Sequence, residues 1–253
     1  MKRITHEPAY VLHSYDWSES SLILEVLTRH YGRVALVAKG VKRPSSNFRS
    51  VLLPLQPLQL GYTGGAEIGV LKSAEWQGGH VMPTGETLLA GYYLNEILMR
   101  MLPRDDAHPA LFDAYAGIVG WLATSGKGGS TLSAGLSAFE IVLLREAGFW
   151  PALDMQTLNY QPLQAEAFYV LQPESGLLAV DEQQHVAAHG GLPGRYWLAL
   201  HAALNVAPEV PSPLHALLAL CLQQRDLTAA LRPQLRHMLE YHCGQTRLRT
   251  RQL

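Results

Sequence analysis

The first 80 residues alternate between short apolar runs and turn residues, a pattern that predicts strands. Five runs are bounded by glycine, proline or polar turns: residues 8–15, 20–28, 33–39, 51–62 and 66–76. Prolines break the fourth run, which therefore predicts an edge strand or a bulge. Five short strands at this spacing fit a small closed barrel.

The pattern changes to a helical period after about residue 80. Thr84 is a candidate N-cap for a helix that ends before Pro103. Further elements are predicted as helices over 111–124, 132–147, 194–205, 214–223 and 226–243, with a small hairpin over 168–171 and 177–180. The sequence thus predicts a barrel domain over residues 1–80. A mainly helical domain follows over residues 81–253, with a small β insertion and a basic C-terminal tail.

The composition of the 253 residues, 48% hydrophobic and 16% charged, supports a buried core rather than a disordered chain. The longest uncharged run, residues 50–66, contains prolines and is too short to span a membrane. The N-terminus has no apolar stretch of a secretory signal. The two cysteines, Cys221 and Cys243, cannot form a four-cysteine zinc site. We therefore expect a cytoplasmic protein without a membrane segment.

The net charge of −1 conceals an uneven distribution of charge along the chain. Residues 1–80 contain nine Lys and Arg against six Asp and Glu, residues 81–222 five against thirteen, and residues 223–253 six against two. No acid lies between Thr28 and Ser50, where six cations are concentrated. Such a segment either binds the phosphates of a polyanion or forms an ordinary solvated basic face.

No enzyme motif is complete in this sequence. Residues 120–128 lack the spacing and the strand-to-helix context of a phosphate-binding loop. Residues 135–139 lack the final glycine of the serine-hydrolase elbow. The histidines and acids of residues 181–189 favour a loop over a metal site, and Asp105 and Asp106 favour a helix cap over acid/base catalysis. We therefore predict no catalytic residue, no cofactor and no metal.

Ordered motifs in the first 150 residues resemble the RecO family of bacterial recombination mediators. They read A-Y-V-L-H-S-Y-D-W-S-E-S-S-L-I-L-E-V-L-T at residues 9–28, G-R-V-A-L-V-A-K-G-V-K-R at 32–43, L-P-L-Q-P-L at 53–58, L-K-S-A-E at 71–75, Y-Y-L-N-E-I-L-M-R at 92–100 and F-E-I-V-L-L-R-E-A-G-F at 139–149. No single motif is diagnostic, but the ordered set is specific. The last hundred residues match only loosely.

The resemblance implies an α+β protein in which a five-stranded OB-fold barrel precedes a mainly α-helical domain. It also implies binding of single- and double-stranded DNA, annealing of strands, and loading of RecA onto strands coated by single-strand-binding protein (SSB). The expected partners are RecR and the C-terminal tail of SSB, with RecA taking part indirectly. The expected location is the bacterial cytoplasm, at the nucleoid.

The sequence departs from the family pattern in two places. Many members carry a four-cysteine zinc finger after the G-F turn, whereas residues 149–164 contain no cysteine, so we predict no zinc finger. Some relatives place arginines near the pocket for the SSB tail, where this chain has Ser137 and Ala138. The remaining candidates for that contact would supply an apolar groove and one cation: Phe139, Leu143 and Arg145.

OB barrels bind strands in a basic groove and stack bases on aromatic rings. We expect cations of the barrel and of the tail to line this groove: Arg33, Lys39, Lys42, Arg43, Arg49, Lys72, Arg247, Arg249 and Arg251. Phe48 and Tyr31 either stack on bases or belong to the core, and Trp17 either stacks or caps the barrel. The tail arginines either extend the groove or form a frayed terminus.

Two other classes of function remain open at this point. One is a protein-interaction adaptor whose barrel does not bind DNA, which predicts no salt-sensitive affinity for strands. The other is an enzyme that uses Asp105, Asp106 or the histidines, which predicts turnover or bound metal.

Overall fold

The computed structural model describes residues 2–65, 67–79, 81–125, 128–180, 191–206 and 212–244. The chain forms two compact units, which we call unit 1 and unit 2. Unit 1 holds the described residues up to Ser125, and unit 2 holds those from 128 to 244. None of the helices in these ranges is both long enough and apolar enough to cross a membrane.

Unit 1 contains a closed barrel of five strands. They are β1 (Lys2–Asp16), β2 (Leu22–Thr28), β3 (Gly32–Ala38), β4 (Leu58–Gly64) and β5 (Gly69–Trp76). Around the barrel the order is β1–β2–β3–β5–β4, with β4 closing onto β1. The β3–β5 pair is parallel, and the other pairs are antiparallel. This topology confirms the predicted five-stranded OB-fold barrel.

Strand β1 closes the barrel because it bends and pairs with two neighbours. Its first half pairs with β4 and its second half with β2, with register shifts between Ile4 and Glu7 and between Val11 and His13. Such bulges bend a strand and increase its twist. The interior is filled by apolar residues of all five strands, including Val11, Leu24, Val26, Leu36, Leu60 and Leu71.

The fourth strand was predicted wrongly in its first half, because β4 begins at Leu58 rather than near residue 51. Pro54 and Pro57 lack the N–H that a sheet ladder requires. Leu55, between them, has a φ of 63° and is fully buried. Residues 51–57 therefore belong to the long connection between β3 and β4.

Two helices complete unit 1, α1 (Glu86–Met101) and α2 (Pro109–Thr124). They pack on β1, where the ring of Tyr10 contacts those of Phe112 and Tyr115 and the side-chain amide of Asn95 donates to the Leu12 carbonyl at 2.9 Å. The N-cap of α1 is Gly85, so the prediction of Thr84 is wrong by one residue.

The change from strands to helices lies between β5 and α1, where the domain boundary near residue 80 was predicted. The compact unit extends further, to Ser125, because α1 and α2 pack against the barrel. Residue 80 therefore separates the strands from the helices, whereas the compact unit that contains the barrel also includes the helices α1 and α2.

The described part of unit 2 contains four helices and a small sheet. Its elements are α3 (Gly129–Glu146), β6 (Phe168–Gln172), β7 (Gly176–Val180), β8 (Leu192–Pro193), α4 (Gly194–Leu204), α5 (Pro213–Gln223) and α6 (Arg225–His242). The sheet order is β7–β6–β8, and α3 packs against α5 and α6. Trp197 is fully buried and donates to the carbonyls of Tyr169 and Leu192. The structure thus confirms a mainly helical region with a small β insertion.

Candidate nucleic-acid interface

Arg33, on β3, is held in an ion pair inside unit 1. Its side chain is 15% exposed, and its Nη1 donates to Glu25 Oε2 at 2.7 Å. Its Nε donates to the Leu102 carbonyl at 3.1 Å. Glu25 is buried and also accepts from Arg104, so one carboxylate compensates two guanidinium groups. Because this guanidinium is already engaged, we leave Arg33 out of the proposed interface.

Arg29, in the turn between β2 and β3, is also engaged with an acid. Its Nε and Nη2 donate to the two carboxylate oxygens of Asp113 on α2, both at 2.9 Å. These hydrogen bonds hold the pKa of Asp113 below its ordinary value. Arg29 therefore attaches the hairpin to α2.

The remaining cations of the segment lie in the basic loop, which we define as residues 39–49 after β3. Lys39, Arg43 and Arg49 are exposed, and within the described ranges none of them forms an ion pair. Lys42 is half-buried and pairs with Asp16 at 2.6 Å, while its Nζ also donates to the Ser18 carbonyl. The structure thus keeps three cations of the loop accessible to a ligand.

Lys72 on β5 lies beside the start of the basic loop. The parallel pairing of β3 and β5 sets Val37 opposite Val70, and Lys39 and Lys72 each follow these partners by two residues. Both lysines are exposed. The barrel topology therefore sets Lys72 on the strand that neighbours the end of β3, from which the basic loop begins at Lys39.

The basic loop is fixed to the barrel by apolar side chains. Val41 and Leu52 are buried in the barrel core, and Phe48 and Val51 pack against it. Between these anchors the backbone forms consecutive turns, in which the amides of residues 43, 46 and 49 donate to the carbonyls three residues earlier. The charged side chains of the loop are consequently displayed on a backbone that is already folded.

The aromatic residues near this surface differ from those predicted. Phe48 and Tyr31 pack against the barrel core, and the Tyr31 ring lies edge-on to Tyr62, which favours the core alternative for both. Trp17 is 63% exposed, so it does not cap the barrel. Because its neighbours Asp16 and Ser18 contact Lys42, Trp17 lies beside the basic loop.

The sequence reasoning missed two exposed rings of the barrel, Tyr15 at the end of β1 and Trp76 at the end of β5, exposed by 48% and 52%. Tyr15 is the last residue but one of β1, and Trp76 is the last residue of β5. The polar turn after Tyr15 was the available signal for its exposure. An exposed ring can provide a stacking platform for a base.

The predicted groove for the SSB tail is not a surface in this structure. Phe139 and Leu143, on α3, are completely buried, and Ser137 and Ala138 are buried as well. Arg145 donates to the Leu204 carbonyl. We correct this prediction, because α3 directs these apolar side chains inward and a partner would have to open the unit to contact them.

Several sequence candidates fall outside the described residues, namely Arg247, Arg249 and Arg251, and the histidines 185 and 189. In the part that is described, no group of three His, Cys, Asp or Glu residues could hold a metal ion. Burial raises the pKa of the Cys221 thiol to about 11, so this group is a neutral core residue rather than a nucleophile.

Comparisons with known proteins give matches to one family along nearly the whole chain. The family model described as Recombination protein O N terminal matches residues 1–79, and the one described as Recombination protein O C terminal matches residues 82–252. The chain is 58% identical over 255 residues to the DNA repair protein RecO of Variovorax paradoxus (strain S110), covering 99% of this chain and 95% of that one.

Two further relatives give the same result. The DNA repair protein RecO of Acidovorax ebreus (strain TPSY) is 54% identical over 259 residues, and that of Verminephrobacter eiseniae (strain EF01-2) is 55% identical over 256 residues. Each alignment covers 100% of this chain and 96% of the relative. With an OB-fold barrel, a helical second unit and these matches from end to end, the chain belongs to the RecO family of DNA repair proteins.

Proposed function

We propose that the protein is a recombination mediator that binds single- and double-stranded DNA on its barrel. The observation that carries the proposal is the group of exposed cations without an acidic partner in the described structure: Lys39, Arg43, Arg49 and Lys72. Membership of a DNA repair family supports the choice of DNA as the polyanion.

The physical basis of binding is the release of counterions from the phosphate backbone. Each phosphate neutralised by a cation releases condensed counterions, so affinity falls steeply as salt increases. The exposed ring of Trp17, beside the basic loop, offers a stacking platform. Because phosphate contacts and stacking read no base edges, we expect binding with little sequence preference.

Annealing follows from the same contacts. A strand held by its phosphates keeps its base edges free, while the cations reduce repulsion from a complementary strand. We therefore propose that the protein anneals strands without a covalent step and that it is not an enzyme.

The proposed partners extend this activity to a repair reaction. The family relationship supports cooperation with RecR, contact with the C-terminal tail of SSB, and assistance in loading RecA onto SSB-coated strands. After the correction at α3, we assign no described residue to these contacts.

Fluorescence anisotropy of a labelled single strand tests the proposal, and a strand of about 30 nucleotides exceeds the site of a single OB fold. We compare the wild type with the Lys39→Ala/Arg43→Ala/Arg49→Ala variant over a series of salt concentrations. Removing three phosphate contacts should weaken binding at least about tenfold and reduce the salt slope by about two.

The matched control is Arg29→Ala/Arg100→Ala, which removes cations that are already paired with Asp113 and Glu96. Its affinity should stay within about threefold of the wild type because neither guanidinium is free to bind phosphate. If the loop variant had the same affinity for the strand as the wild type, the basic loop would not be part of the interface. Absence of binding by the wild type at low salt would contradict DNA binding and favour the adaptor.

A further inference from the structure

Helix α6 of unit 2 carries three arginines on one face. Arg225, Arg232 and Arg236 are all exposed. In helical projection Arg232 and Arg236 stand about 20° to either side of Arg225, and the three span about 16 Å of the helix axis. We call this set the α6 stripe.

The α6 stripe has no acidic partner among the described residues. The bond that the structure shows for Arg232 goes to a neutral group, Ser133 Oγ at 2.7 Å. Asp226 stands about 100° from Arg225 and lies off the stripe, whereas Glu240 follows Arg236 by one helical turn and lies at the edge of the stripe. None of the three arginines forms an ion pair within the described residues, so the stripe presents an excess of positive charge on a protein whose net charge is −1.

A cleft of about 610 Å³ opens at the first turn of α6, next to Arg225. Its lining contains two arginines, one acid and otherwise neutral polar and aromatic side chains: Arg195, Tyr196, Gln223, Gln224, Arg225 and Asp226. Arg195 pairs with Glu166 at 2.7 Å and lies 5.2 Å from the centre of the Tyr196 ring. The cleft thus places an aromatic ring and two glutamine side chains next to Arg225, while its second arginine is already paired and Asp226 is its one acid.

We propose that the α6 stripe and its cleft form a second binding surface for a nucleic-acid strand, separate from the basic loop of the barrel. The phosphate backbone fits because it is a linear array of negative charges, and a row of arginines along one helix face can contact several of them. This inference rests on the proposed function and adds a site for a second strand to it. A protein that holds one strand on each unit can bring two strands together.

Native mass spectrometry tests the proposal by counting strands on one protein copy. The probe is a single strand of about 10 nucleotides, within the site size of one OB fold. Wild type should bind two strands. The Arg225→Ala/Arg232→Ala/Arg236→Ala variant should bind one strand. The basic-loop variant, Lys39→Ala/Arg43→Ala/Arg49→Ala, should also bind one. The three arginines of the stripe changed to Lys form the matched control, which should bind two because the charge is retained.

The outcomes separate the two proposals. Two strands on the Ala variant of the stripe, or a single strand on the wild type, would overturn the second surface while leaving the barrel site in place. Two strands on the basic-loop variant would instead overturn the barrel site. Arg225→Ala/Arg236→Ala keeps the bond from Arg232 to Ser133, and it should also bind one strand, which excludes loss of that bond as the cause.

A poly-glutamate peptide is the second probe. If the Ala variant lost this peptide and kept two strands, the stripe would serve an acidic protein segment, which would overturn the proposal. Thermal melting of each variant should match the wild type because the three side chains are exposed.

Discussion

Gly32, at the start of β3, is a residue whose replacement should destabilise unit 1. Its φ is 69°, and a Cβ built on it would lie 2.0 Å from the carbonyl oxygen of Asp106. A side chain there would be strained by both the backbone conformation and the contact. We expect Gly32→Ala to lower the free energy of unfolding by more than about 2 kcal/mol, measured by urea denaturation.

Gly120 provides the control, because it lies inside α2 and a Cβ there would meet nothing within 4 Å. Gly120→Ala should leave stability unchanged or raise it by up to about 1 kcal/mol, since alanine favours a helix. If the two substitutions changed the free energy of unfolding equally, the close contact between Gly32 and the Asp106 backbone would not determine the stability of unit 1.

Single residues also show where the sequence was insufficient for predicting the site. Arg33 and Lys39 are cations of the same basic segment, and nothing local distinguishes them. Arg33 is engaged because Glu25 and Leu102 approach it through tertiary structure, whereas Lys39 remains exposed. Pairing of charges depends on contacts that are distant in sequence, so a charge count can locate a basic segment but not its free members.

At the scale of elements, the contact between the β2–β3 hairpin and α2 depends on the ion pair of Arg29 and Asp113. The hydrogen bonds from Arg29 lower the pKa of Asp113. A carboxyl group with a depressed pKa in the folded state contributes stability above its unfolded pKa of about 3.9, and this contribution is lost as the pH falls through the folded pKa.

We therefore expect Asp113→Asn to lower the free energy of unfolding at about pH 7, by less than about 1 kcal/mol because the carboxylate is more than half exposed. The difference from the wild type should shrink as the pH approaches about 3. Urea denaturation at both pH values measures this, and Arg29→Ala should raise the Asp113 pKa in an NMR titration. A difference independent of pH would contradict the role of the ion pair.

The elements themselves were predicted well where one periodic pattern was uninterrupted. The period-2 runs gave β2, β3 and β5 within a few residues, and the period-3.6 runs gave the helices. The prediction failed at residues 51–57. Leu52 and Leu55 are buried, so the apolar pattern resembles that of a strand, but Pro54 and Pro57 cannot donate to a sheet ladder. It also missed β8, which has two residues and no pattern of its own.

At the scale of the whole molecule, strand binding should follow the placement of charge rather than its sum. The net charge of −1 gives no general attraction to DNA. Among the described residues, the exposed Lys and Arg side chains without an ion pair lie, apart from Arg3, on the basic loop with Lys72 and on the α6 stripe. The acids of the chain are concentrated between these two regions of the sequence. A family of DNA repair proteins can therefore include a chain whose pI, about 6.8, does not indicate nucleic-acid binding.

This placement predicts how affinity responds to salt. With four barrel cations in contact with phosphates, the logarithm of the affinity for a single strand at the barrel should fall with the logarithm of salt concentration with a slope of about −3. Glu146→Gln/Asp154→Asn raises the net charge by two, but it adds no phosphate contact, so its slope should equal that of the wild type. The loop variant lowers the net charge by three and should reduce the slope to about −1. Anisotropy titrations at several salt concentrations measure all three slopes. A slope that followed net charge alone would contradict a localised interface, because counterion release counts only the phosphates that cations contact.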